Sequence, residues 1–107
     1  MPTFNNVQFK KHPVSKGWAG IYIFEDNTRL SVVCGETMYC DPKSNLPKLE
    51  DYHAFEVAVL NDKDEFITKQ YYPENNEDVV GWQSREMITQ LMANIETNSD
   101  KAITTNK

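Results

Sequence analysis

Long hydrophobic runs are missing from this 107-residue chain: no stretch approaches the roughly 18 to 20 apolar residues that a bilayer-spanning helix requires. The first twelve residues, MPTFNNVQFKKH, hold no apolar block of the signal-peptide kind, so the cytoplasm is the expected compartment. Cysteine is scarce. Cys34 and Cys40, with five residues between them in CGETMYC, make neither a CxxC pair nor a disulfide framework, and two free thiols are expected. Histidine is equally scarce, and a zinc site built from Cys34, Cys40, His12 and His53 would match none of the compact finger or ribbon spacings. Of the four glycines, none builds a phosphate loop, because Gly17-Trp18-Ala19-Gly20 lacks the GxxxxGK[ST] pattern. Asp62-Lys63-Asp64-Glu65 lacks the alternating carboxylates of a calcium loop and reads as a turn. Cys34 falls in a predicted strand, away from the sharp turn or helix start that activates a thiolate. No catalytic residue, metal or cofactor is therefore expected. The competing readings are a small thiol or metal-dependent enzyme, which would have to draw on His53, Cys34, Cys40 and nearby carboxylates, and a purely structural, self-assembling protein.

What is present fits one α+β domain over residues 1–96, followed by a polar tail at 97–107 whose single large apolar residue, Ile103, cannot offset its ordering entropy. The chain is 39% apolar and holds five Phe, five Tyr and two Trp, enough bulk for one core. The β-rich runs 18–25 and 28–35 flank Asp26-Asn27 and predict a hairpin. A two-residue turn would set Ile23, Ile21 and Ala19 against Leu30, Val32 and Cys34, leaving Trp18, Tyr22 and Phe24 on the other face. A longer loop would let this register slip, since Asp-Asn is a weaker turn signal than Asn-Gly. A second hairpin is predicted from 54–60 and 65–72, pairing Val59 with Phe66, Val57 with Thr68 and Glu56 with Lys69. Phe4, Val7 and Phe9 suggest an additional N-terminal strand, and Pro42 and Pro47 mark 37–51 as a loop. Met87, Ile88, Leu91, Met92 and Ile95 recur on one helical stripe, with Ser84 as N-cap and Met87 where a capping box would need Glu or Gln.

One short helix covers one face of such a sheet, so the other face must be polar, self-associate or bind a partner. Trp18, Tyr22 and Phe24 are the predicted anchors of that face. Charge adds a second candidate surface. The chain carries a net −5, and residues 41–86 hold eleven acids against five bases. Such a balance disfavours nucleic acid and anionic membranes, and it makes Glu74, Glu77 and Asp78 candidates for contact with a basic protein partner.

The ordered segments Ala-Gly-Ile-Tyr-Ile-Phe-Glu-Asp-Asn (19–27), Leu-Ser-Val-Val-Cys-Gly-Glu (30–36), Phe-Glu-Val-Ala-Val-Leu (55–60) and Glu-Asp-Val-Val-Gly-Trp-Gln-Ser (77–84) resemble a group of small phage and prophage proteins of unknown function. The chain departs from that group at Asn27-Thr28-Arg29, where the group tends to have Gly-Tyr-Gly. The resemblance implies an accessory protein acting in the cytoplasm of an infected or lysogenic bacterium, and it carries over no site residue. The resulting expectation is a module that binds protein, a second copy of itself included, and that inhibits or modulates a host or defence component.

Overall fold

Alternating apolar residues set the strands of this chain, and Asn, Asp and Gly set their ends. In the computed structural model, which describes residues 1–105 apart from Pro13 and Ser15, and side chains as far as Asn98, five strands form one antiparallel sheet in chain order. They are β1 Gln8–Lys11, β2 Trp18–Ile23, β3 Arg29–Cys34, β4 Phe55–Leu60 and β5 Val80–Gln83, and a single helix, α1 Arg85–Thr105, follows them. The fold is α+β, an antiparallel sheet packed against one C-terminal helix. Its order needs no crossover, because each strand pairs with its neighbour in sequence.

The first hairpin forms in a register one residue away from the expected one. Phe24 N–H donates to the Thr28 carbonyl at 2.8 Å, so the loop holds three residues, Glu25, Asp26 and Asn27. Asn27 sits at φ 68°, a conformation that Asn tolerates better than most residues, and Asp26 Oδ1 accepts from Thr28 N–H at 2.9 Å. The extra loop residue slides β2 by one position, so that Tyr22 lies opposite Leu30, Gly20 opposite Val32 and Trp18 opposite Cys34. A slip of one residue exchanges the two faces of a strand. Ile21 and Ile23, expected inside, point out; Trp18, Tyr22 and Phe24, expected outside, point toward the core.

The second hairpin is replaced by an interrupted one. The 65–72 segment joins β4 through the Leu60–Phe66 bridge, an Ile67 N–H to Val59 carbonyl bond of 2.8 Å and the Thr68 hydroxyl on Val59, and winds into a 3₁₀ turn at Thr68–Gln70. Asn61 causes the early turn: its Oδ1 accepts from Lys63 and Glu65 N–H at 2.9 and 3.0 Å. Glu56 accordingly faces Val33, not Lys69. The partner of β4 is instead β5, with Val80 opposite Val57, Gln83 opposite Phe55 and a bulge between them.

The core lies between the inner sheet face and α1. Leu30, Val32, Cys34, Phe55, Val57 and Val59 from the sheet meet Ile88, Leu91, Met92 and Ile95 from the helix. Gly20 leaves a gap on this face that the Phe9 ring fills: a Cβ there would come within 2.7 Å of the ring. Ser84 caps the helix, its Oγ accepting from Met87 N–H at 3.1 Å. Met87 itself is exposed, because it stands about 100° around the helix from the first buried residue, Ile88. The helix backbone continues to Thr105, through the segment predicted as a polar tail. Of that stretch only the side chains of Thr97 and Asn98 are described, both exposed, and residues 106–107 lie outside the described residues.

Candidate functional site: the uncovered sheet face

In a sheet, residues directly opposite one another point to the same side, so the register defines the outer face row by row. One row is Lys10, Ala19, Val33 and Glu56, and the next is Gln8, Ile21, Ser31 and Ala58. The third is Ile23, Arg29 and Leu60. Among the described residues no helix lies over these rows, and Ile21 and Ile23 stay open to solvent, whereas Ala58 is buried and Ala19, Val33, Glu56 and Leu60 are half-buried. Ile21 is 43% exposed, Ile23 57% and Phe66, just beyond β4, 51%.

At the β5 edge the face ends in an aromatic pair. Trp82, 59% exposed, packs against Tyr39 in a tilted pair at a centroid distance of 5.4 Å, and Lys43 Nζ lies 5.1 Å from the Tyr39 ring centre. The bulge in β5 produces this arrangement by placing Trp82 at φ 55°, a rare conformation for so large a residue. Trp82 N–H donates to the Tyr39 carbonyl at 2.9 Å, and Tyr39 N–H donates to Glu56 Oε1 at 3.1 Å, so the backbone ties the pair to the face. Gly81 permits the close approach, since a Cβ there would meet the Tyr39 Cβ at 2.5 Å.

Charge on the outer face is sparse and paired by position. Lys10 sits on edge strand β1 and Glu56 on β4, in the same row with two strands between them. Arg29 forms an ion pair with Asp64 and donates to the Asn61 carbonyl at 3.1 Å, which draws its guanidinium toward the β4 turn.

The residues expected to anchor a partner lie elsewhere. Phe24 is buried, and Trp18 and Tyr22 are half-buried against the core. Tyr22 and Phe24 meet edge to face at 4.7 Å, and the Trp18 indole N–H donates to the Leu46 carbonyl at 3.2 Å. Glu74, Glu77 and Asp78 are exposed on the loop between the Thr68–Gln70 turn and β5, apart from the aromatic face. What sequence reasoning missed is Ile21, Ile23, Phe66, Tyr39 and Trp82. The available signal was Asn27, the one residue of the first turn at ease with positive φ, which favours a three-residue loop ending there.

The thiols and imidazoles do not assemble into a second site. Cys34 and Cys40 are both buried and free. Burial, reinforced by the neighbouring Cys40, pushes the Cys34 thiol up from 9.0 to about 12, and burial raises Cys40 as well. Cys40 Sγ accepts from Gly35 N–H at 3.2 Å, in a packing role. Among the described residues, no three of His, Cys, Asp and Glu converge on a common point. No helix of the described residues is long and apolar enough to cross a membrane. Comparison with known proteins yields no matching family model, no matching curated protein and no matching solved structure.

Proposed function

We propose that this chain is a protein-binding module whose working surface is the outer sheet face. One observation carries the reading: a five-strand sheet with α1 on one side only, whose free side displays Ile21, Ile23, Phe66 and the Tyr39–Trp82 pair among its polar residues. Exposed apolar area of this kind costs solubility, and aromatic and aliphatic groups with few charges are the composition of an interface centre. The resemblance to small phage proteins supports an accessory role in an infected bacterium, in which the face occludes a host or defence protein. The acidic loop at Glu74, Glu77 and Asp78 would then favour a partner with a basic rim.

The test separates face from fold. Ile23→Glu and Phe66→Glu should keep the thermal midpoint of the parent protein and lose association with any protein that the parent binds, measured by sedimentation and by quantitative capture from bacterial extract. Retention of every association in both folded variants would refute the reading.

A further inference from the structure

The outer face is complementary to itself, and we propose that its occupant is a second copy of this chain, related by a two-fold axis that runs along the strands between β2 and β3. This deepens the binding-module reading and rests on it. The argument begins with the rows. Lys10, Ala19, Val33 and Glu56 lie at one height across β1 to β4. A two-fold axis along the strand direction preserves height and exchanges β1 with β4 and β2 with β3. Lys10 therefore meets the second copy's Glu56 position and Glu56 its Lys10 position, two ion pairs from one row, while like charges stay apart. Among the described residues Lys10 has no ion pair within its own chain. Any shift of the axis by one strand breaks the match, because it sets Lys10 opposite Ala19 or beyond the sheet edge.

Shape follows the same symmetry. In the next row the axis brings Ile21 over Ser31, a large residue onto a small one. Ser31 borders both shallow hollows of the face, one lined by Lys10, Ala19 and Ile21 and the other by Val33, Ala58 and Phe66. A side chain arriving at Ser31 thus finds room on either side. Face-to-face packing of twisted antiparallel sheets, strands about 30° apart, is an established mode with about 10 Å between sheets. Lys10 and Glu56 stand about 7 Å from the axis, one and a half strand spacings, and the crossing angle displaces them by less than the reach of a lysine. The four strands that overlap, β1 to β4, about 4.8 Å apart and up to about 20 Å long, span about 400 Å² of sheet, which the relief of their side chains raises toward the roughly 600 Å² per partner that the smallest specific interfaces bury. Such an area suits a dimer of micromolar strength.

Sedimentation of the full chain from about 1 to 500 μM tests this. A monomer–dimer equilibrium is expected, and Ile21→Glu should weaken it at least tenfold without lowering the thermal midpoint at concentrations where the wild type is monomeric. Lys10→Glu alone and Glu56→Lys alone should each weaken dimerisation, by two like-charge contacts apiece. Mixing the two variants should restore it as a heterodimer, in which both charge pairs are again opposite. The wild-type dimer and its loss in Ile21→Glu and Lys10→Glu stand as tests even where Glu56→Lys does not fold. A monomer across the whole range, a dimer indifferent to Ile21→Glu, or a mixture no stronger than the separate folded variants overturns the proposal. A monomeric wild type that still binds another protein through Ile23 and Phe66 overturns the self-pairing and leaves the binding-module reading in place.

Discussion

A single threonine hydroxyl stands in for part of a strand beside β4. Thr68 is buried, accepts from Val59 N–H at 2.9 Å and donates to the Asp78 carbonyl at 2.7 Å, satisfying groups that β5 is too short to reach. Thr68→Val keeps the shape and strands the Val59 N–H, so urea denaturation should show a loss of about 1 to 3 kcal/mol. Arg85 is a second keystone. Its guanidinium donates to the Tyr52 and Leu49 carbonyls at 2.6 and 3.2 Å and lies 5.1 and 5.2 Å from the Phe4 and Phe55 rings. Arg85→Ala should cost about 2 to 3 kcal/mol, and Arg85→Lys should recover little, because an ammonium cannot span both carbonyls. Cys34 gives a pH signature. Its pKa in the folded chain is about 12, against an ordinary 9.0. Below pH 9 the thiol is protonated in both states and its contribution to stability is complete. Between about 9 and 12 the unfolded chain releases the proton while the native chain keeps it, so stability falls as pH rises. Cys34→Ala should flatten the alkaline fall of the denaturation midpoint, with a residual slope from Cys40, Tyr52, Tyr71 and Tyr72, which burial also raises.

At the scale of elements, the turn between β2 and β3 decides which side chains reach the core. Both registers of this hairpin offer a plausible apolar face, since Ile21 and Ile23 alternate with Tyr22 and Phe24. Local pattern alone does not choose between them. The three-residue loop with Asn27 at positive φ does. The consequence is measurable: Ile21→Ala, on the open face, should change monomer stability by less than about 0.5 kcal/mol, whereas Leu30→Ala, opposite Tyr22, should cost about 2 to 5. Comparable losses at the two positions would restore the two-residue turn. Replacing Glu25-Asp26-Asn27 by Asn-Gly should force that turn and drive Ile21 inward and Tyr22 outward, with loss of the cooperative thermal transition. The β4 region was misread for a related reason. The 65–72 run has strand composition, but Asn61 and Thr68 bond to backbone groups locally and leave room for Val80–Gln83 to pair.

Across the whole molecule, core and surface divide along the plane of the sheet. Leu91 and Ile95 of α1 are buried on the inner side, and Ile23 and Phe66 stand free on the outer side. Leu91→Ala should lower stability by about 2 to 5 kcal/mol at any protein concentration, while Ile23→Ser should act only where association is populated. A thermal midpoint that rises with concentration in the wild type and not in Ile23→Ser is the expected pattern. The sequence by itself determined the fold class, an N-terminal strand through Phe9 but not through Phe4 and Val7, which belong to a 3₁₀ turn and its cap, the Ser84 cap, the buried positions 88, 91, 92 and 95 and the existence of one uncovered sheet face, because periodicity, caps and helix number are properties of neighbouring residues. Only the tertiary structure decided which residues occupy that face, that β5 and not 65–72 completes the sheet beside β4, and that Tyr39 and Trp82 meet. Strand pairing joins residues distant in the chain, and a shift of one position, set by one loop residue, reverses every side chain of β2 while leaving its composition and alternation unchanged.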